Sequence, residues 1–309
     1  MHIDTDTLCR RTARLLVAVL LPLLLLAACG KREYSDQGRT SACWIYAMLA
    51  CIEQEQLRYG DSVTLSRQWL MSRLMEEQTM ERYLAGREIS MRGVGPDALR
   101  LIENYGLIPF RGEKGDITNS HVLERELRLL ADRHHGTLKT LHEKVEEKLP
   151  RFTVNGTDGS ATFYYYGMRY TALQFAESIM YHQQWQWYAS VTYHPWGVTF
   201  PLEVADNRRY HTYLNIPMPQ LIDKVLASLR AGHPVYWEYG REASAQPQGG
   251  GASSDHAVAI VALRKGSDGK PRLLCRNSYG TAWGQNGHFL VSLDFFRQHT
   301  CNVGILEPN

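Results

Sequence analysis

The sequence predicts an α+β protein, with a helical first half, a strand-rich second half and a short leader in front. Three observations predict it. Apolar residues recur at helical spacing between residues 43 and 148, with Leu123, Leu127, Leu130, Leu138, Leu141 and Val145 carrying the later part. From residue 233 onward, short β-prone runs follow turn signals, at 233–238, 257–263, 273–276 and 288–292. An apolar run at 15–26 stands apart from both.

That run comes first in the chain. Arg10, Arg11 and Arg14 lead into it, and it is too short to span a bilayer as a helix but fits a signal-peptide core. It closes on Leu26-Ala27-Ala28-Cys29. Small residues followed at once by Cys resemble the lipobox of bacterial lipoproteins. The resemblance implies a diacylglycerol on Cys29, a membrane partner reached through that lipid, and a place in the cell envelope. Gly30 rather than Asp follows the Cys, which favours an outer-membrane or periplasm-facing location. The expected organisation is a signal peptide over 1–28, the lipidated Cys29 with a short tether over 29–36, and a folded domain over 37–309.

About 280 residues of the 309 then remain to fold, enough for one large domain or two fused halves. With 34 basic and 32 acidic residues the formal charge is +2, so nothing in the balance argues for a nucleic-acid partner. The 17 Tyr and 7 Trp suit a well-packed globule. Six cysteines do not make a framework. Cys51 lies eight positions after Cys43 on one predicted helix. At 1.5 Å per residue that is about 12 Å, too far for a disulfide. A Cys275–Cys301 pair stays open.

Within the domain, residues 43–58 predict a helix with Ile45, Leu49, Ile52 and Gln56 on one side and Tyr59-Gly60-Asp61 as its stop. Residues 64–77 predict a second helix, capped by Ser66. Residues 96–105 predict a third, opened by Pro96 and closed by Gly106. Residues 119–148 read as two helices joined near Gly136. A turn at 153–159 and Thr162–Tyr166 read as strand and turn, 171–181 as helix, and 219–231 as a helix ending at Gly232 before the strand at 233–238. Gln248-Gly249-Gly250-Gly251-Ala252 is a flexible loop ahead of the next strand. His134-His135 suits a solvated turn better than a metal site. The aromatic tract 181–188 suits packing better than peptide or glycan binding, and the charged run 143–148 a solvated helix face.

Three short segments carry chemistry. In Gln37-Gly38-Arg39-Thr40-Ser41-Ala42-Cys43-Trp44 a Gly-containing loop delivers Cys43 to a helix start, where unpaired N–H groups and partial positive charge favour the thiolate. The Cys43 N–H and the Gln37 amide can both face an oxyanion. In Ser254-Asp255-His256-Ala257, His256 opens an apolar strand and suits a base for the thiol. In Arg276-Asn277-Ser278-Tyr279-Gly280, Asn277 can orient the imidazole, and Tyr279 and Trp283 can shield that bond from water.

Gln…Cys-Trp, Asp-His-Ala and Asn-Ser-aromatic-Gly, in that order, resemble the papain-like cysteine peptidases. The local pattern C-G-[SA]-C-[WY] of that family is matched at Ala42-Cys43-Trp44, whereas Thr40 and Ser41 replace its first Cys and Gly. The disulfide that the first Cys makes in the family is therefore not expected. Gly93-Val94-Gly95-Pro96 through Tyr105-Gly106 resembles the segment that binds substrate backbone ahead of a helix, with Gly93 as the second glycine of a pair and Arg92 in place of the first. Cys43 and His256 stand 213 residues apart, against about 130–150 in papain-type enzymes. The excess over 112–215 resembles the helical insertion of the bleomycin hydrolase and aminopeptidase C branch. Enzymes of that branch place a C-terminal tail in the cleft and form hexamers. This chain stops at Leu306-Glu307-Pro308-Asn309, so neither property is carried over.

The resemblance implies a papain-like two-subdomain fold, a helical half and a β-barrel-like half, with a helical insertion. It implies a peptide or protein substrate, Cys43, His256, Asn277 and Gln37 as the catalytic set, Gly93 and Asp255 at the substrate, and no metal or organic cofactor. A catalytically silent peptide-binding lipoprotein and a thiol-dependent cell-wall amidase are the alternatives.

Overall fold

In this computed structural model the described residues are 36–110, 117–154, 157–158, 162–181, 183–204, 209–240 and 256–307. The leader, Cys29, Asp255 and the 248–252 loop lie outside them. The chain enters the fold through α1 (Cys43–Arg58), which begins and ends where the sequence predicts. The helix is not one-sided, however: Trp44 through Ile52 are all buried. The reason is its position between α2 (Arg67–Ala85) and α3 (Gly95–Tyr105) on one side and two strands of the central sheet on the other. Ser66 Oγ caps α2 by accepting from Trp69 N at 3.0 Å. That helix runs two turns past its predicted end, to Gly86 in the left-handed region at φ 67°. Pro96 opens α3, and Asp97 Oδ2 accepts from Val94 N at 3.2 Å.

The next two helices are α4 (Ser120–Asp132) and α5 (Leu138–Glu146), joined around Gly136 as predicted. His134 is not solvated: it is buried, with Nε2 2.9 Å from the Thr137 carbonyl and its ring edge-on to Tyr83, while His135 is exposed. Two short hairpins follow, β1 (Thr153–Val154) with β2 (Thr157–Asp158), and β3 (Phe163–Tyr165) with β4 (Met168–Tyr170). Next comes α6 (Ala172–Ile179), capped by Thr171.

The remaining strands are β5 (Gln184–Ala189), β6 (Thr199–Val204), β7 (Arg209–Asn215), β8 (Val235–Tyr239), β9 (His256–Lys265), β10 (Pro271–Arg276), β11 (His288–Ser292) and β12 (Thr300–Glu307). They form one sheet in the order β11-β10-β9-β8-β12-β5-β7-β6, antiparallel throughout except for the β5–β7 pair. Two helices, α7 (Met218–Arg230) and α8 (Leu293–His299), are the others. Residues 112–215 are therefore not purely a helical insertion. Their last three strands extend the central sheet, because Gln184–Ala189 pair with residues 302–307 of β12. The sequence reading also passes over β12, which lies mid-sheet between β8 and β5.

The sheet separates two cores. Tyr236, Ala257, Ala259, Trp187 and Ala189 face the cluster built on α1, α2 and α3. Val235, Trp237, Val258, Ile260, Val303 and Ile305 alternate with them and face α7 and α8. Cys275 is a buried, unbridged thiol, so the Cys275–Cys301 pair is not formed.

Candidate active site

The loop before α1 is laced to the segment after β10. Asp36 bridges to Tyr279, and Gln37 N donates to the Ser278 carbonyl at 2.8 Å. Gly38 turns the chain at φ 59°, a region L residues seldom enter. Thr40, at the position where the family resemblance places a disulfide cysteine, closes the loop instead by donating from Oγ1 to the Gln37 carbonyl at 2.8 Å. The Gln37 side chain is buried. Its Nε2 donates to the Thr40 carbonyl at 2.8 Å, and its Oε1 accepts from Ser278 Oγ.

Cys43 is the first residue of α1 and is half-buried. Ala42 offers no side-chain cap, and the first turn carries no acidic residue. Both absences leave the positive end of the helix to act on the thiol, since a capping oxygen would compete for the terminal N–H groups. Burial far outweighs any such help at Cys51 and Cys275, whose thiols are pushed well above the ordinary range.

His256 opens β9, against which α1 packs. Its Nε2 lies 2.7 Å from Asn277 Oδ1, and both residues are buried. The same Oδ1 accepts from Ser278 N at 2.8 Å, which fixes which amide atom is the oxygen. An oxygen there can only accept, so Nε2 holds the proton and Nδ1 is the atom through which the ring takes one up. Tyr279 stacks on the imidazole at 5.3 Å and 19°, and Trp283 meets Tyr279 edge-on at 5.6 Å. The structure thus brings Gln37, His256 and Asn277 together around the Asn277–Ser278 segment. Asp255 lies outside the described residues.

Gly93 sits beside the nucleophile's neighbour. A Cβ there would fall 2.7 Å from the Trp44 ring, whose Nε1 donates to the Met91 carbonyl at 2.9 Å. The glycine is therefore required by packing. Two residues on, Gly95 N donates to Glu238 Oε1 at 3.0 Å.

Sequence reasoning missed the ionic tie behind the site. Glu53, buried in the middle of α1, accepts from Leu65 N and Arg67 on its Oε1 and from Arg67 and Arg276 on its Oε2, the last two at 2.8 Å. Arg276 immediately precedes Asn277, so one carboxylate joins α1, α2 and β10. Burial alone raises the Glu53 carboxyl, but the two guanidinium charges and the hydrogen bonds from Arg67 and Leu65 outweigh it and hold the group at about 2. The available signal was an acid set directly after Ile52 in an otherwise apolar run.

No family model matches the chain, and no curated protein sequence does. Solved structures do. The chain superposes on PepW from Lactobacillus rhamnosis with a TM-score of 0.64 at 17% identity, covering 90% of this chain and 80% of that one. Two others superpose less closely. A structure described for the mite allergens Blo t 1 and Der p 1 gives 0.45 at 16% identity, covering 90% of this chain and 67% of that one. Procathepsin L 3 of the Tenebrio molitor larval midgut gives 0.41 at 15%, covering 90% and 66%. With its eight described helices and one large sheet, the chain has the papain-like α+β fold.

Proposed function

We propose that the chain is a cysteine peptidase with Cys43 as nucleophile. The observation that carries the reading is the 2.7 Å bond between His256 Nε2 and Asn277 Oδ1, at the edge of the strand on which the Cys43 helix packs. It leaves Nδ1 of an oriented imidazole to exchange a proton with a thiol at a helix N-terminus.

The thiolate attacks the scissile carbonyl carbon, a C–S bond forms and the carbonyl electron pair moves to oxygen. The Cys43 N–H and the second N–H of the Gln37 amide, whose first is held by Thr40, stabilise that oxyanion. The imidazolium gives its proton to the amide nitrogen, the C–N bond breaks and the amine leaves a thioester. Water, deprotonated by His256, releases the acid and restores the thiol. Asn277 keeps the ring in register through both proton transfers.

The test is labelling of the folded domain with an epoxide selective for papain-like thiols, read by intact mass. One adduct is expected on the wild type, none on Cys43→Ala, and labelling slowed at least about 100-fold in His256→Ala. No adduct on a folded wild type overturns the reading in favour of a silent peptide-binding protein. Cleavage of cell-wall stem peptides with no cleavage of ordinary peptides overturns it in favour of an amidase.

The leader completes the reading: export, lipidation of Cys29, and display in the cell envelope at the end of a short tether. Among the described residues no helix is long and apolar enough to cross a membrane. Mass spectrometry of the N-terminal peptide, with Cys29→Ser as control, checks this. An unmodified Cys29 in the membrane fraction overturns it.

A further inference from the structure

One row of residues crosses five strands near an end of the sheet: Ala257 on β9, Glu238 on β8, Asn302 on β12, Ala189 on β5 and Asn215 on β7. Residues opposed in this way share a face. Ala257 and Ala189 belong to the core built on α1, so the row faces the Cys43 helix. Ala257 follows His256, and Ala189 leads into the loop 190–198 between β5 and β6. The proposed base and this loop therefore lie at the same end of the sheet. Four strand spacings of about 4.8 Å separate the two along that rim, roughly 20 Å.

The loop is longer than its connection requires. β7 lies between β5 and β6, so the chain must cross two strand spacings, about 10 Å, which about three extended residues span. Nine are used, and they are pinned from below. Asn215, the last residue of β7, is fully buried. Its Oδ1 accepts from Val191 N at 2.9 Å, and its Nδ2 donates to the carbonyls of Val191, His194 and Pro195 at 2.9, 2.8 and 3.2 Å. Its backbone N donates to the Val198 carbonyl at 3.0 Å, and its carbonyl accepts from Gly197 N at 2.7 Å. Gly197 makes the return at φ 79°. The His194 ring lies 4.4 Å from the buried ring of Phe200. The outer side of the loop is apolar. Tyr193, Trp196 and Val198 are 53%, 47% and 49% exposed, and residues 190–198 include no Asp, Glu, Lys or Arg. Single exposed apolar residues are ordinary, but three on one short, pinned loop mark a binding surface. Their backbone is ordered before any ligand arrives, so little entropy is lost when one docks.

We propose that the loop 190–198 is a remote substrate subsite, in which Trp196 and Tyr193 take an aromatic or large aliphatic side chain of an extended polypeptide. The inference rests on the peptidase reading, in which substrate backbone lies at Gly93. From Gly93, against the Trp44 ring, that segment runs to Gly95, against the Trp187 ring of β5. A substrate lying along it heads from Cys43 towards β5 and the loop beyond. An extended chain advances about 3.3 Å per residue, so the side chain that reaches the loop is about five or six positions from the scissile bond. A subsite so far away selects long, unfolded polypeptide segments and makes the enzyme an endopeptidase.

The test uses a fourteen-residue peptide of Ala, Ser and Gly whose single cleaved bond is mapped by mass spectrometry. Two relatives carry one Trp five or six positions before or after that bond. The expected result is a kcat/KM at least about tenfold above the parent for one relative, and its side gives the direction in which substrate lies. Trp196→Ala should lower that ratio, and the double variant Tyr193→Ala, Trp196→Ala should bring it close to one. The ratio is read within each variant, so a general loss of activity does not mimic the effect. Both side chains are exposed, and urea unfolding midpoints check that the variants are folded. If the wild type neither labels with the epoxide nor cleaves the parent, the peptidase reading fails and this inference with it. If it does both but neither Trp peptide is preferred, or the preference survives in the double variant, this inference alone is overturned.

Discussion

Two buried glutamates, Glu53 and Glu238, sit where the helical half meets the sheet, and the hydrogen bonds that hold them come from different kinds of group. Glu53 lies on α1 and is held by two guanidinium groups, Arg67 and Arg276. Glu238 lies on β8 and accepts from a phenol, an amide side chain and a backbone N–H. Residue type and burial are the same, at 3% and 1% exposed. Guanidinium groups reach Glu53, and neutral donors are among those that reach Glu238. A carboxylate neutralised by fixed cations ties elements together.

The largest way to break this comparison is to remove a cation from the tie. Arg67→Met leaves Glu53 with a single guanidinium in a buried site and should cost about 3–5 kcal/mol, read from urea unfolding midpoints. A loss near zero would mean that Glu53 is no tie at all.

The pH dependence should follow. The folded-state value of Glu53 is lowered, from 4.5 to about 2. Its contribution is therefore complete above about 4.5 and is lost as pH falls from there through about 2, on the order of 3 kcal/mol in all. Urea unfolding between pH 6 and pH 2 should show this acid loss in the wild type and much less of it in Glu53→Gln. Equal acid loss in both proteins would assign it to other carboxylates.

Glu238→Gln should be milder, about 1 kcal/mol, because the Asn302 amide can turn and present its Oδ1 to the new amide. A cost as large as that of Arg67→Met would make Glu238 a second tie and erase the contrast. The smallest effect sets the baseline. Asp132 pairs with Arg82 at the surface at 2.8 Å, with Asp132 43% exposed, and Asp132→Asn should change stability by less than about 1 kcal/mol. The same unfolding measurement checks it.

Much of the helical half was legible in order along the chain. Cys43–Arg58 has its stop at Tyr59-Gly60, α3 has Pro96 and Gly106, and α7 has Gly232, all local signals written within a few residues of where they act. The second end of α2 was missed because Leu84 and Ala85 continue without a breaker until Gly86. The strands of the added sheet were harder. In β12, residues 302–306 are buried on both faces, so no alternation marks the strand, and its partners β8 and β5 are distant in sequence. At the site, Gln37, Cys43, His256 and Asn277 could be named because each stands in a short pattern of its own. Glu53 with Arg276, 223 residues apart, and Glu238 with Asn302 stand in none.

The sequence by itself determined the order of the helices, the α+β class and the residue types available for thiol chemistry. These are properties of neighbouring residues, set by caps, turn formers and periodicity. Only the tertiary structure decided that β5, β6 and β7 extend the sheet, that Thr40 closes the loop by a bond to the Gln37 carbonyl, and that one buried acid meets arginines while the other meets an amide whose oxygen has no partner. Each depends on which distant side chain crosses a strand or a helix interface, and burial then magnifies the consequence, because the surroundings of a buried charge are fixed by packing rather than by water.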